Sequence, residues 1–178
     1  MPAARPVVSV CLGILLVNGG VVLWLSYLGC SFLPASGSLQ WWSGSILPAD
    51  NSQHLMDCYP LLHAIFGAAL WFAARALWPS RPVRLRLLLV IASSGIWEAV
   101  ENTSWVIALS NDPEGLNTYR GDSIMNALSD SAFVGLGFLA ARSLPPLVVI
   151  ALAVVIEAGL AVLIRDGIVP GTLRLVWR

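Results

Sequence analysis

The sequence predicts an all-α protein, a bundle of about five membrane-spanning helices, and three observations carry that prediction. The chain is 57% hydrophobic and only 11% charged over 178 residues, with a mean hydropathy of +0.78, far from the balance of a soluble domain. Its apolar residues fall into runs of about 20, the length that crosses a hydrocarbon core of roughly 30 Å. The connections are rich in Pro, Gly and Trp, and Trp settles at headgroup depth. The lipid bilayer is therefore the first expected partner. A formal net charge of zero leaves no electrostatic footprint for nucleic acid.

Taken in order, the first span covers residues 7–29. Its one flanking charge, Arg5, also suits a signal peptide, but the apolar region is too long and no small-residue cleavage site closes it, so a retained helix is expected. Residues 30–57 form a loop without a basic residue, in which Trp41 and Trp42 are natural interface anchors. The loop ends in the polar cluster Asn51-Ser52-Gln53-His54-Leu55-Met56-Asp57. The second span, residues 59–78, carries His63 one turn inside it. Pro79 and Pro82 then break the chain, where Arg75, Arg81, Arg84 and Arg86 crowd together. The third span, 85–109, begins apolar and turns polar at Trp97-Glu98-Ala99-Val100-Glu101-Asn102. A loop containing Asp112-Pro113-Glu114-Gly115 leads to the fourth span, 122–142. Pro145-Pro146 open the fifth, 147–164, which contains Glu157. The tail, 165–178, is too short and too charged to cross again and is expected along the interface. The whole chain, 1–178, reads as one integral membrane domain.

Arginine placement orients the bundle, because short loops with excess positive charge stay in the cytoplasm. Arg5, the cluster from Arg75 to Arg86, and Arg142 share one side. That places the amino terminus in the cytoplasm and the carboxyl terminus outside, although Arg165, Arg174 and Arg178 in the tail run against the rule.

The polar residues inside the spans define the candidate site. Asp122, Asn126 and Asp130 recur at i, i+4 and i+8, which lines them along one stripe of a helix. At about 1.5 Å per residue, Glu98 and Glu101 lie roughly 20 to 24 Å along the third helix. His54, Asp57 and His63 stand at the outer end of the second. All of these converge on the outer half of the bundle, whereas polar packing residues would be scattered. A carboxylate near the bilayer centre costs about 2.5 to 3.5 kcal/mol, so Glu98, Glu101, Asp130 and Glu157 need protonation, pairing, hydration or a cation. The sequence thus offers Glu98, Glu101, Asp122, Asn126 and Asp130 as catalytic groups. Ser123, Asn102, Tyr119, Glu157 and Arg165 are candidate substrate contacts, and His54, His63 and Asp57 candidate ligands of a divalent metal ion.

Each assignment has a structural alternative. Asp122 suits a helix cap, and Glu98, Glu101 and Asn102, on one face, suit interhelical hydrogen bonds worth about 0.6 to 2 kcal/mol each. Gly135 and Gly137 suit close helix packing. Cys30 and Cys58 can pair outside the cytoplasm.

The ordered set Asn51-Ser52-Gln53-His54 with Asp57, Tyr59 and His63, then Trp97-Glu98 with Glu101-Asn102, then Gly121-Asp122-Ser123 with Asn126 and Asp130, then Glu157 and Arg165-Asp166, resembles a bacterial inner-membrane family. It is known as domain of unknown function twenty-five eighty-five. The resemblance implies a multi-pass protein of the bacterial inner membrane without an assigned activity. The chain reads as a divergent member: Phe66 stands in place of a second histidine, and Ala108-Leu109-Ser110-Asn111 in place of an Asn-Arg-Tyr-Arg run. Pro34-Ala35-Ser36-Gly37 replaces a Cys-x-Cys-Gly, and Ala127 a serine. Losing two arginines and a histidine removes anion-binding and proton-transfer groups. A looser similarity, by analogy, is to VanZ-like membrane proteins.

Two function classes follow. The preferred one is a polar, carboxylate- and histidine-containing cavity on the periplasmic side that binds or processes a lipid-linked or amphipathic molecule, by metal-assisted or general acid-base hydrolysis or group transfer if it is an enzyme. The alternative is a non-catalytic assembly subunit that meets other membrane subunits and uses the polar stripe to fix helix register. A transporter fits less well, since polar residues occupy only one half of the membrane and no repeat is visible.

Overall fold

Proline and hydroxyl side chains set where the helices begin. The computed structural model describes residues 4–45, 47, 49–111 and 119–176, so the Asp112-Pro113-Glu114-Gly115 segment lies outside the described residues. Seven helices follow one another: α1 (Ala4–Leu28), α2 (Pro60–Leu77), α3 (Val83–Glu101), α4 (Ser104–Ser110), α5 (Ile124–Ser143), α6 (Pro146–Leu163) and α7 (Ile168–Val176). No strand occurs among the described residues. Pro60 and Pro146 open α2 and α6, where the missing N–H costs nothing. Ser123 caps α5 by accepting the Asn126 N–H at 3.1 Å. The cap is Ser123, so Asp122 is released for other contacts.

Four helices, α1, α2, α5 and α6, are long and apolar enough to cross a membrane. The 19-residue α3 is long enough as well, but Arg84, Arg86, Glu98 and Glu101 dilute its apolar content. The helix expected over 85–109 is two helices in the structure. At the junction the Asn102 side chain folds back, donating to the Glu98 carbonyl at 3.0 Å, and Thr103 starts α4 as its cap with an extended backbone. A side chain that competes for backbone partners in this way ends a helix. The tail contains a helix, α7, after the left-handed Arg165 (φ 55°) and the turn at Gly167.

The central pair is α2 against α5, which approach through reciprocal glycines. A Cβ at Gly67 would collide with the Val134 carbonyl, and one at Gly137 with the Ala64 carbonyl, the small-residue packing that membrane helices use. Gly135, expected to act likewise, only faces Ile91 at ordinary contact distance. Trp71 and Phe138 meet edge-to-face at 4.9 Å within the core built on Val90, Ile91 and Val134. Arg86 is buried, lies over Trp71, and donates to the Trp78 and Pro79 carbonyls. It thereby ties the α2–α3 connection together. α3 lies between α1 and α5, while α1 and α6 turn Leu15, Leu16, Leu23, Val155 and Val162 outward.

Candidate functional site

The long connection between α1 and α2 is not a free loop but a clamp on the start of α5. The Ser123 N–H donates to the Ser52 carbonyl at 2.9 Å, and the Ile124 N–H to the Ser31 carbonyl at 3.0 Å. Gln53 donates to the Gly121 carbonyl at 2.8 Å, the Ser123 hydroxyl to the Gln53 carbonyl at 2.9 Å, and Asn126 to the His54 carbonyl at 2.8 Å. These bonds set the C-terminal end of α1 and the N-terminal ends of α2 and α5 at one end of the bundle.

His54 and Asp57 belong to this clamp. The His54 ring is fully buried, with Nδ1 accepting from the Gln40 N–H at 3.3 Å and Nε2 facing Asp50 at 3.4 Å. Asp57 accepts from the Ser52 and Tyr59 N–H groups at 3.1 and 2.8 Å. Burial raises its carboxyl above the usual carboxylate range, and these two N–H groups oppose the rise. Both side chains are thus engaged on the loop side, apart from His63. Ser123 and Asn126 likewise spend their donors on loop carbonyls.

Asp122 forms a second buried knot. It accepts from Asn102 Nδ2 at 2.7 Å and from the Tyr119 hydroxyl at 2.8 Å, while its own N–H donates to Asn102 Oδ1 at 2.6 Å. Burial pushes its carboxyl up to about 6, against the pull of the Asn102 and Tyr119 bonds. The Tyr119 phenol is raised by burial and then by the Asp122 charge.

His63, Glu98, Glu101 and Asp130 remain, and their geometry is different. His63 stands between two helices, its Nδ1 3.6 Å from Glu98 Oε1 and its Nε2 3.7 Å from Asp130 Oδ2, both beyond hydrogen-bond distance. Glu98 is fully buried, and among the described residues neither of its oxygens has a hydrogen-bond partner; Asp130 Oδ1 and Asn126 Oδ1 also have none there. One ligand atom from each of His63, Glu98 and Glu101 lies within 4.8 Å of the others. Orphaned polar atoms of this kind are rare in folded proteins and call for a ligand, ion or water.

A recess of about 940 Å³ opens above this group. His63, Glu101, Asp122 and Asp130 form its floor, with Glu98 just behind. Leu62, Phe66, Trp97, Val100, Trp105, Val106 and Leu109 make an apolar wall, and Ile168, Gly171 and Leu173 of α7 close one side. Phe66, Leu109 and Asn111, three of the departures noted above, all border it; Ala127 instead packs with Val21 and Leu25 of α1. The indole and aliphatic wall is what the sequence reading missed. Trp97, Val100 and Glu101 sit on one α3 face, and that spacing was the available signal.

Glu157 and Arg165 lie apart from the cluster. Glu157 accepts from the Ile168 and Val169 N–H groups at 3.1 and 2.7 Å and so caps α7. Arg165 is exposed. Cys30 and Cys58 are free thiols rather than a disulfide, with Cys30 Sγ 4.0 Å from Asn102 Oδ1.

Comparison with known proteins gives one consistent result. The family model described as "Protein of unknown function (DUF2585)" matches residues 25–178. A UPF0314 protein of Brucella anthropi is 32% identical over 153 residues, covering 86% of this chain and 78% of the relative. One from Rhizobium meliloti is 34% identical over 167 residues, covering 94% and 83%. Another, from Paracoccus denitrificans, is 34% identical over 159 residues, covering 87% and 80%. No solved structure matches significantly.

Proposed function

The chain belongs to the DUF2585 family, and from that premise we propose that it is a multi-pass protein of the bacterial inner membrane whose recess binds an amphipathic, lipid-linked molecule. In this reading α3 is the fifth span, and the arginines put the recess on the periplasmic side. One observation carries the proposal: a single recess of about 940 Å³ joins an apolar wall to a floor of His63, Glu101, Asp122 and Asp130. Ligand sites have this size and this division between apolar body and a few convergent polar groups. The apolar part of the molecule lies along Phe66, Trp105, Val106 and Leu109, and its polar head meets the carboxylates. With several carboxyl groups and a histidine at that end, the floor carries groups for a metal-assisted or general acid-base hydrolysis or group transfer at that head.

The alternative, an assembly subunit whose polar residues fix helix register, accounts for His54, Asp57, Asn102, Ser123 and Asn126, which are all bonded within the fold. It gives no reason for Glu98 and Asp130 to be buried with unpartnered oxygens. The test is mass spectrometry of molecules retained by the full chain purified in mild detergent, beside Val106→Trp, which fills the recess. A discrete amphipathic species, reduced at least tenfold in the variant at equal helicity, supports the reading. No retained species, or equal retention in both, removes it.

A further inference from the structure

We infer that His63 of α2 and Glu98 and Glu101 of α3 form a divalent-cation site at the floor of the recess; of the residues the sequence offers as ligands or catalytic groups, this set keeps His63, Glu98 and Glu101 and leaves out His54 and Asp57. The inference rests on the proposed function only in that the cation faces the same recess.

Three observations converge on it. One ligand atom from each residue lies within 4.8 Å of the others; ligands at the usual metal–nitrogen and metal–oxygen distances span at most about 4.4 Å, so side-chain movement of a few tenths of an ångström, about 0.4 Å, brings all three onto a common ion. Both Glu98 oxygens are buried and have no hydrogen-bond partner among the described residues. The His63 ring is also uncommitted. Its Nδ1 is the nitrogen nearer Glu98, at 3.6 Å, and its Nε2 is turned to Asp130 Oδ2 at 3.7 Å. A ligating imidazole characteristically directs its second nitrogen at a carboxylate, which fixes the ring and raises its basicity.

Charge gives the same answer. Glu98, Glu101 and Asp130 surround one imidazole, Asp122 borders the same recess, and no arginine does among its described residues. A dication offsets this excess of acidic groups at depth. One imidazole and two carboxylates suit Zn²⁺ or Mn²⁺, and three protein ligands leave a position open. Because His63 and Glu101 border the recess while Glu98 closes the site from behind, that position faces the recess, where an oxygen atom of a bound head group can take it.

The experiment uses the full chain in detergent, stripped with a chelator and titrated with Zn²⁺ alone and with Mn²⁺ alone. About one equivalent is expected to bind, with at least a tenfold loss of affinity in Glu98→Gln and in Glu101→Gln. In the Mn²⁺-loaded wild type, electron spin-echo modulation from a coordinated nitrogen is expected, and it disappears in His63→Ala. That spectrum is read on the wild type, so it decides the matter even where a variant fails to fold. No cation bound by protein of native helicity, equal affinity in the folded glutamine variants, or Mn²⁺ bound without a nitrogen signal overturns the inference. Retention of an amphipathic species by chelated protein that binds no cation overturns the metal site and leaves the recess reading standing. Cation binding with no retained species does the reverse.

Discussion

Glu98→Gln separates a functional carboxyl from a structural one. Glu98 is completely buried, lies near the end of α3, and has no hydrogen-bond partner for either oxygen. Asp130, across His63, belongs to the same acidic group. A carboxylate at the bilayer centre costs about 2.5 to 3.5 kcal/mol, and the cost falls toward the interface. Replacing Glu98 with its isosteric amide removes that burden and the repulsion from its acidic neighbours without changing side-chain volume. The metal-free protein is therefore expected to gain about 1 to 2 kcal/mol, which for a chain of this length raises the melting temperature by about 2 to 8 °C. The same variant is expected to lose metal retention, the trade between stability and activity that marks functional sites. Thermal unfolding followed by circular dichroism, in detergent with chelator present, measures the first effect. A fall in melting temperature of similar size would refute the reasoning, because it would make Glu98 a hydrogen-bonding member of the core.

Three further outcomes are expected. Gly137→Ala is expected to cost about 2 kcal/mol or more, since its Cβ meets the Ala64 backbone, whereas Gly135→Ala stays within about 0.5 kcal/mol against Ile91 Cδ1 at 3.6 Å; unfolding in parallel checks the contrast. Asp122 has a carboxyl raised to about 6 from 3.8, so the folded state holds its proton more tightly than the unfolded one. Its contribution is full below about pH 4 and lost as pH rises through about 6, a fall of at most about 3 kcal/mol. The difference between wild type and Asp122→Asn across pH 4 to 7 should show that slope in the wild type alone. Glu157→Ala removes the acceptor for the Ile168 and Val169 N–H groups, and hydrogen exchange at those two amides should speed up while exchange in α2 and α5 stays unchanged.

What was legible in the sequence followed from composition and period. Runs of apolar residues located α1, α2, α5 and α6 because a bilayer requires length and hydrophobicity and little else. The stripe at Asp122, Asn126 and Asp130 marked a polar face on α5 for the same reason, and Asp122 and Asp130 border the recess. The division of the third apolar run into α3 and α4 was missed although its causes are local, Asn102 folding back on the Glu98 carbonyl and Thr103 capping α4; what the sequence hides is that Asn102 also holds Asp122, 20 residues further along the chain. The roles of the two histidines were not legible either. His54 and His63 are nine residues apart, one just before the second span and one just inside it. Only the folded loop shows that His54 bonds back to Gln40 and Asp50, while His63, one turn inside α2, faces two acidic helices.

That division explains how an acidic floor persists in so apolar a chain. Ser52, Gln53, His54, Asp57, Asn102, Ser123 and Asn126 bond one another and the backbone around the rim, so the ends of α1, α2, α3 and α5 are fixed by hydrogen bonds as well as by packing. The bonded rim over-determines where α3 ends and α5 begins, and it holds Glu98 and Asp130 on either side of His63 although neither hydrogen-bonds to His63. Strain of this sort survives only where the surroundings impose it. Loosening the rim at Asn126 should therefore relax the floor: with the His54 carbonyl freed, the acidic groups can move apart, and the site should lose affinity for its ion before the bundle loses its helices.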